Sequence, residues 1–207
     1  MVTHRPDLAD RLLQASGQLA RGNSLKAVTI DAAAALCGAD PSEARLVFGD
    51  DKGLRDGLVG LYHAANRDVL SFAMREVASV EDFVRQACEA VEHYYTIFHQ
   101  DPEMRDVWTE ILTDRDMRET NTEHVMRNAA GLYAVLRDLL PHVDEMELTA
   151  TIELMIHMTD VAARWAATRD EAKGRAMLDA FCRMIGLMGE EMVRADAANA
   201  LKDMDVL

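Results

Sequence analysis

Arg45 is the residue whose chemistry is easiest to name. A guanidinium can pair with two acceptors on a guanine edge, which makes arginine a natural reader of bases. Ser42, three residues earlier, carries a hydroxyl that can reach a phosphate or a base. Lys26 and Arg5 lie upstream and can meet flanking phosphates. Arg45 has a second use, because Glu43 or Asp50 could hold it on a solvated helix face. Covalent chemistry finds no comparable set of residues. There is no HExxH, GxSxG, Walker loop or GxGxxG. His93 and His99 are six apart and share no helical face, and His124, His142 and His157 lack a partner at ligand spacing. Cys37, Cys88 and Cys182 are odd in number, far apart and without a CxxC, so buried reduced thiols are expected rather than a disulfide or zinc site. No enzyme activity, metal or cofactor is expected.

The elements that must position Arg45 are short helices near the front. Thr29 reads as the N-cap of a helix over 30–36, which Gly38 ends. Asp40, Pro41 and Glu43 open a second helix to about Val47 in a capping-box pattern. Ala33 and Ala34 are small enough for close approach, and Leu46 and Phe48 are expected to anchor the second helix. A first helix over 7–20 carries Leu8, Leu12, Ala15 and Leu19 on one face, with Pro6 and Asp7 as its start signal. Three helices with a glycine turn make a helix-turn-helix unit, which sets its last helix into the DNA major groove.

Longer helices follow. The first of them runs over 51–77, capped by Asp50 or Asp51, with Leu54, Leu58, Leu61, Ala65, Val69 and Phe72 inward. Others are expected over 79–100, from 102, and over 117–140, 145–168 and 171–198, with a frayed tail at 199–207. In the last, Ala180, Phe181, Met184, Ile185, Met188 and Met192 should face the core. The total is nine helices. Four prolines and 13 methionines among 207 residues agree with an all-α chain.

Net charge is −14 and lies unevenly. Residues 1–60 carry seven basic and eight acidic side chains, and the rest of the chain holds the remaining −13. That excludes a protein that coats nucleic acid along its whole surface. No apolar run nears the ~20 residues a bilayer demands, and Met1–Asp10 has no signal-peptide core. A cytoplasmic location is expected.

The stretch Thr29–Phe48 resembles the signature of the TetR family of transcriptional regulators. A Thr-hydrophobic pair opens one helix, Gly38 makes the turn, Phe48 closes the next, and Lys52-Gly53-Leu54 opens the fourth. Leu12-Leu13-Gln14-Ala15 matches the first helix, and Asp101–Trp108 resembles a phrase of the C-terminal domains. The resemblance implies a helix-turn-helix domain over 1–52 and an effector-binding, dimer-forming domain over 53–207. It places Thr29 and Lys52 at phosphate-contacting positions. It implies an effector pocket, for which Tyr94, Tyr95, Phe98, Trp108, Met126, Tyr133, Met155 and Met158 are candidates, with His99 and Trp165 as further ones. It implies a homodimer through the last two helices, with Gly186 and Gly189 allowing close approach. Such a dimer would repress from a near-palindromic operator until a small apolar or amphipathic effector shifted it through the 51–77 helix.

The departures matter. Arg45 stands where the family usually has an aromatic, Ala39 replaces Val and Asp40 replaces Ser. Asp40 and Glu43 oppose a phosphate backbone, so weak non-specific binding and a shallow salt dependence are expected. The alternative is a non-enzymatic interaction or ligand-sequestering protein on the same fold.

Overall fold

The computed structural model describes residues 7–205. Within them the chain is all-α, with nine α-helices and two 3-10 turns. The helices are α1 (Leu8–Gly22), α2 (Ile30–Cys37), α3 (Pro41–Phe48), α4 (Asp51–Ala73), α5 (Val80–Gln100), α6 (Pro102–Thr113), α7 (Arg118–Leu139), α8 (Glu145–Ala166) and α9 (Glu171–Asp205). They form two compact units. The first runs up to Asn66 and adds Pro102–His124; the second holds Arg67–Asp101 and everything from Val125 onward.

Side-chain oxygens start the helices where the sequence places them. Asp7 accepts from the Asp10 amide at 2.9 Å, Thr29 from Ala32 at 3.2 Å, and Asp40 from Ser42 at 2.7 Å. Asp50, rather than Asp51, caps α4 by accepting from Gly53 at 2.8 Å. Asp51 instead reaches back to the Ile30 amide at 2.7 Å, tying α4 to the start of α2. These contacts satisfy first-turn amides that a helix cannot pair internally. Gly38 takes φ 66°, left-handed backbone that a residue with a Cβ adopts at a cost. The turn Leu25–Ala27, capped by Ser24, was not expected; three residues carry no periodic signal.

In the first unit α1, α2, α3 and α6 close over Leu12, Ile30, Ala33, Ala34, Leu54 and Ile111. Glu110 on α6 accepts the Leu25 amide at 2.6 Å, which fixes the 3-10 turn. In the second, α5, α8 and α9 pack together around Phe83, Val91, Phe98, Leu148, Ile152 and Ile185. Burying one such side chain contributes about 1.5–3 kcal/mol.

Three core expectations are corrected. Leu46 does not anchor α3: it is 88% exposed, and Ala44, fully buried, does the anchoring with half-buried Phe48. On α4, Leu54 and Leu58 are buried, but Leu61, Ala65, Val69 and Phe72 are exposed. Met184 on α9 is also exposed. Periodicity marks one face of a helix, and burial further needs a neighbour on that face.

Helix α9 continues past residue 198 to Asp205 instead of fraying. The α7–α8 loop docks on it. The His142 amide donates to Asp196 at 2.7 Å, Asn199 donates to the His142 carbonyl at 3.1 Å, and the His142 ring meets Asp203 at 3.3 Å.

Candidate nucleic-acid interface and effector cavity

Helix α3 presents Ser42, Glu43, Arg45, Leu46 and Val47 to solvent, with Ala44 buried behind them. Small Ala33 and Ala34, both fully buried, let α2 brace it. Arg45 pairs neither with Glu43 nor with Asp50. Its guanidinium donates to Asp31 on α2 at 2.7 Å, an ion pair open to water on both sides.

The other expected contacts are also engaged. Lys52 donates to Asp56 one turn on at 2.6 Å, and that hydrogen bond pushes its ammonium above the usual lysine range. The Thr29 hydroxyl oxygen serves as the N-cap of α2. The Asp40 carboxyl is held below the usual carboxylate range, chiefly by its hydrogen bond to Ser42, so it carries full negative charge at neutral pH. Lys26 is exposed in the Leu25–Ala27 turn. Arg5 and Pro6 lie outside the described residues.

The effector candidates divide. Trp108 belongs to the first unit, and the other seven to the second. Tyr94, Tyr95 and Phe98 share α5. Tyr94 lies 6.2 Å from Phe98, ring to ring, and burial, helped by Asp160, pushes its hydroxyl above the ordinary tyrosine range. Tyr95 is buried, its ring stacked on His99 and covered by Arg175 at 4.9 Å, while its hydroxyl has no hydrogen-bond partner. Arg175 itself is paired with Glu92. Tyr133 accepts from Arg137 at 3.1 Å, and Arg137 also donates to the Val143 carbonyl at 2.7 Å, so the pair braces the end of α7. Met155 is buried, whereas Met126, Met158 and Trp165 are exposed.

Two groupings escaped the sequence. In the first unit, buried His63 stacks on His124 with ring centroids 4.9 Å apart, meets Trp108 edge-on at 5.0 Å, and hydrogen-bonds Asn121 at 2.9 Å. Their separations in the chain follow no local period. In the second, a cavity lies between the end of α4, the 3-10 turn Met74–Glu76 and α7. Arg67, Arg75, Arg127 and Asn128 line it, and none of the eight effector candidates does.

The cysteines differ from expectation in burial: all three are free thiols, but half-buried rather than buried. Cys88 on α5 and Cys182 on α9 are far apart in sequence but adjacent in space: the Cys88 thiol faces the Cys182 carbonyl at 3.9 Å. Burial, then the hydrogen bond with Cys88, pushes the Cys182 thiol up to about 12. Among the described residues no three His, Cys, Asp or Glu cluster as a metal site. No described helix is long and apolar enough to cross a membrane. Gly189 serves packing within the chain, since a Cβ there would meet Val84 on α5 at 2.7 Å; Gly186 faces open space.

No curated protein matches the sequence. Several solved structures share the fold, among them these three. A TetR-family transcriptional regulator from Pectobacterium atrosepticum has TM-score 0.60 at 19% identity, covering 87% of this chain and 91% of that one. The transcriptional regulator FadR from Bacillus subtilis, in complex with stearoyl-CoA, has TM-score 0.66 at 10% identity, covering 84% and 96%. The fatty acid degradation regulator FadR from Bacillus halodurans has TM-score 0.65 at 12% identity, covering 88% and 96%. The family model of the tetracyclin repressor-like C-terminal domain matches residues 79–188, more than half of the 207. With that match and this fold, the chain belongs to the TetR family of transcriptional regulators.

Proposed function

We propose that the protein is a DNA-binding repressor, released from a near-palindromic operator by a small apolar or amphipathic effector. The observation that carries this reading is α3. It stands on a glycine turn, braced by α2, with Ser42 and Arg45 turned to solvent. Ser42 and Arg45 would meet the groove, and Thr29, Lys52 and Lys26 the flanking phosphates. Residues 1–52 would act as the DNA-binding domain and 53–207 as the effector-binding, dimer-forming domain.

Dimerisation through α8 and α9 is supported by apolar stripes on their surfaces. Leu154, Met158, Val161 and Trp165 recur along α8 at helical spacing and are all exposed. Met184 and Leu187 do the same on α9. A second copy would bury both stripes and set two recognition helices about 34–36 Å apart. The bound stearoyl-CoA of the Bacillus subtilis regulator favours an effector with an apolar tail.

The second reading, an interaction or ligand-sequestering protein with weakened DNA binding, rests on the ion pairs. Asp31 holds Arg45 and Asp56 holds Lys52, so two candidate cations meet DNA already neutralised. Fluorescence anisotropy on the intergenic DNA beside its own gene decides between the readings. The measurement spans a salt series, with wild type beside Arg45→Ala. Tight, salt-sensitive binding that the substitution weakens at least tenfold supports the repressor. No binding at low salt by a folded dimer overturns it for that DNA and leaves the second reading.

A further inference from the structure

The cavity between α4 and α7 has a volume of about 330 Å3, within the ~300–1,000 Å3 usual for small-molecule sites. Leu70, Leu132 and Val135 give it an apolar wall. Arg67, Arg75 and Arg127 bring three guanidinium groups, and no carboxylate lines it, in a chain of net charge −14. Such a concentration of one sign against the sign of the whole chain marks a place for an anion. Guanidinium forks match carboxylate and phosphate oxygens, and five N–H donors let one guanidinium serve more than one partner.

A second, independent observation comes from Asn128. This residue lines the same cavity and is 8% exposed, and its Oδ1 has no hydrogen-bond partner. A buried acceptor left unmet is costly, and turning the amide toward the cavity would let an occupant satisfy it. The third observation is Gly131. A Cβ built on it would meet nothing within 4 Å, so the space beside it is open.

We infer that this cavity binds an anionic amphiphile: an apolar tail against α4 and α7, an anionic head among the arginines, and an N–H or O–H donor that meets Asn128. This deepens the effector reading above and rests on it for its regulatory meaning, though not for binding itself. The shared chemistry has two sources, a free carboxylate and a phosphate-bearing acyl thioester.

Isothermal titration calorimetry on the full chain, below the probes' micelle concentrations, tests the site. N-dodecanoylglycine offers tail, anion and N–H; dodecanoate lacks the donor; methyl dodecanoate lacks the charge; dodecanoyl-CoA carries phosphates and amide donors. N-dodecanoylglycine should bind at least tenfold tighter than the methyl ester. Gly131→Leu fills the hollow and should weaken it at least tenfold without lowering the melting temperature. If that variant unfolds, Arg127→Gln takes its place, with a loss of three- to tenfold expected. Asn128→Leu should erase the preference for N-dodecanoylglycine over dodecanoate. Tighter binding of the thioester assigns the head to phosphate, and tighter binding of the glycine conjugate or of dodecanoate assigns it to carboxylate; both uphold the site. Binding of none of the probes, equal binding of the methyl ester, or unchanged binding by Gly131→Leu overturns it. DNA binding is read separately without probe. Probe binding without DNA binding upholds the cavity and sinks the repressor, and the reverse sinks the cavity alone.

Discussion

Asp31→Asn should tighten DNA binding. In the free protein the Asp31 carboxylate holds Arg45 at 2.7 Å. Both groups are largely exposed, at 69% and 51%. Exposed pairs of this kind are worth about 0.2–1 kcal/mol. Arg45 must surrender that pairing to reach a base, so removing it recovers up to about 1 kcal/mol, roughly fivefold in affinity. The substitution also removes a negative charge facing the phosphates, and each further phosphate neutralised steepens the logarithmic salt slope by about 0.9. The expected sum is a three- to tenfold gain at moderate salt, with a steeper slope. Against it stands a small stability loss, because Asp31 is an acid in the first turn of α2, worth about 0.3–1 kcal/mol. Anisotropy titrations across a salt series read the first effect, and thermal melts read the second. Unchanged or weaker binding by a folded Asp31→Asn protein would refute the idea that this pair restrains Arg45.

Tyr95→Phe should be neutral or stabilising by up to about 1 kcal/mol, because it deletes a buried hydroxyl that has no partner; a clear fall in melting temperature would contradict this. Leu187→Glu places a charge in the exposed stripe of α9 and should shift the protein toward monomer in light scattering, while a dimer of unchanged strength would exclude that face. Asp82 has a carboxyl held below its usual range, first by Arg85 and then by Ser79, so its ionised form is favoured in the folded state. A depressed folded value adds stability above the unfolded value, about 3.9, and loses it as pH falls through the folded one. Wild type should therefore melt above Asp82→Asn at pH 7, and the gap should close below about pH 4. A gap that did not narrow at all as the pH fell below about 4 would show that ionisation is not its source.

The local half of this architecture was legible in the sequence. Thr29, Asp40 and Gly38 act on neighbours two to four residues away, and the chain states such relations directly. The α2–turn–α3 unit was therefore readable to within a residue. Partnerships across the chain were not. Nothing in the spelling links Arg45 to Asp31 on another helix rather than to nearby Glu43. His63 and His124 stack across 61 positions, and Arg67, Arg75 and Arg127 meet around a cavity only once α4 and α7 are folded. The same reason explains Leu46, Val69 and Met184. Their spacing said which face they shared, but the neighbour that would cover that face is a property of the tertiary fold.

Leu46 has a colloidal consequence. The proposed dimer would cover the α8 and α9 stripes, but it would leave this leucine standing in water on α3. Between collisions, copies of the protein are kept apart by their shared negative charge. That repulsion vanishes near the isoelectric point, about pH 4.8, where apolar contacts between molecules meet no opposing force. Mild acid should therefore bring clouding before it brings unfolding. Leu46→Gln should delay the clouding while leaving the folded chain untouched.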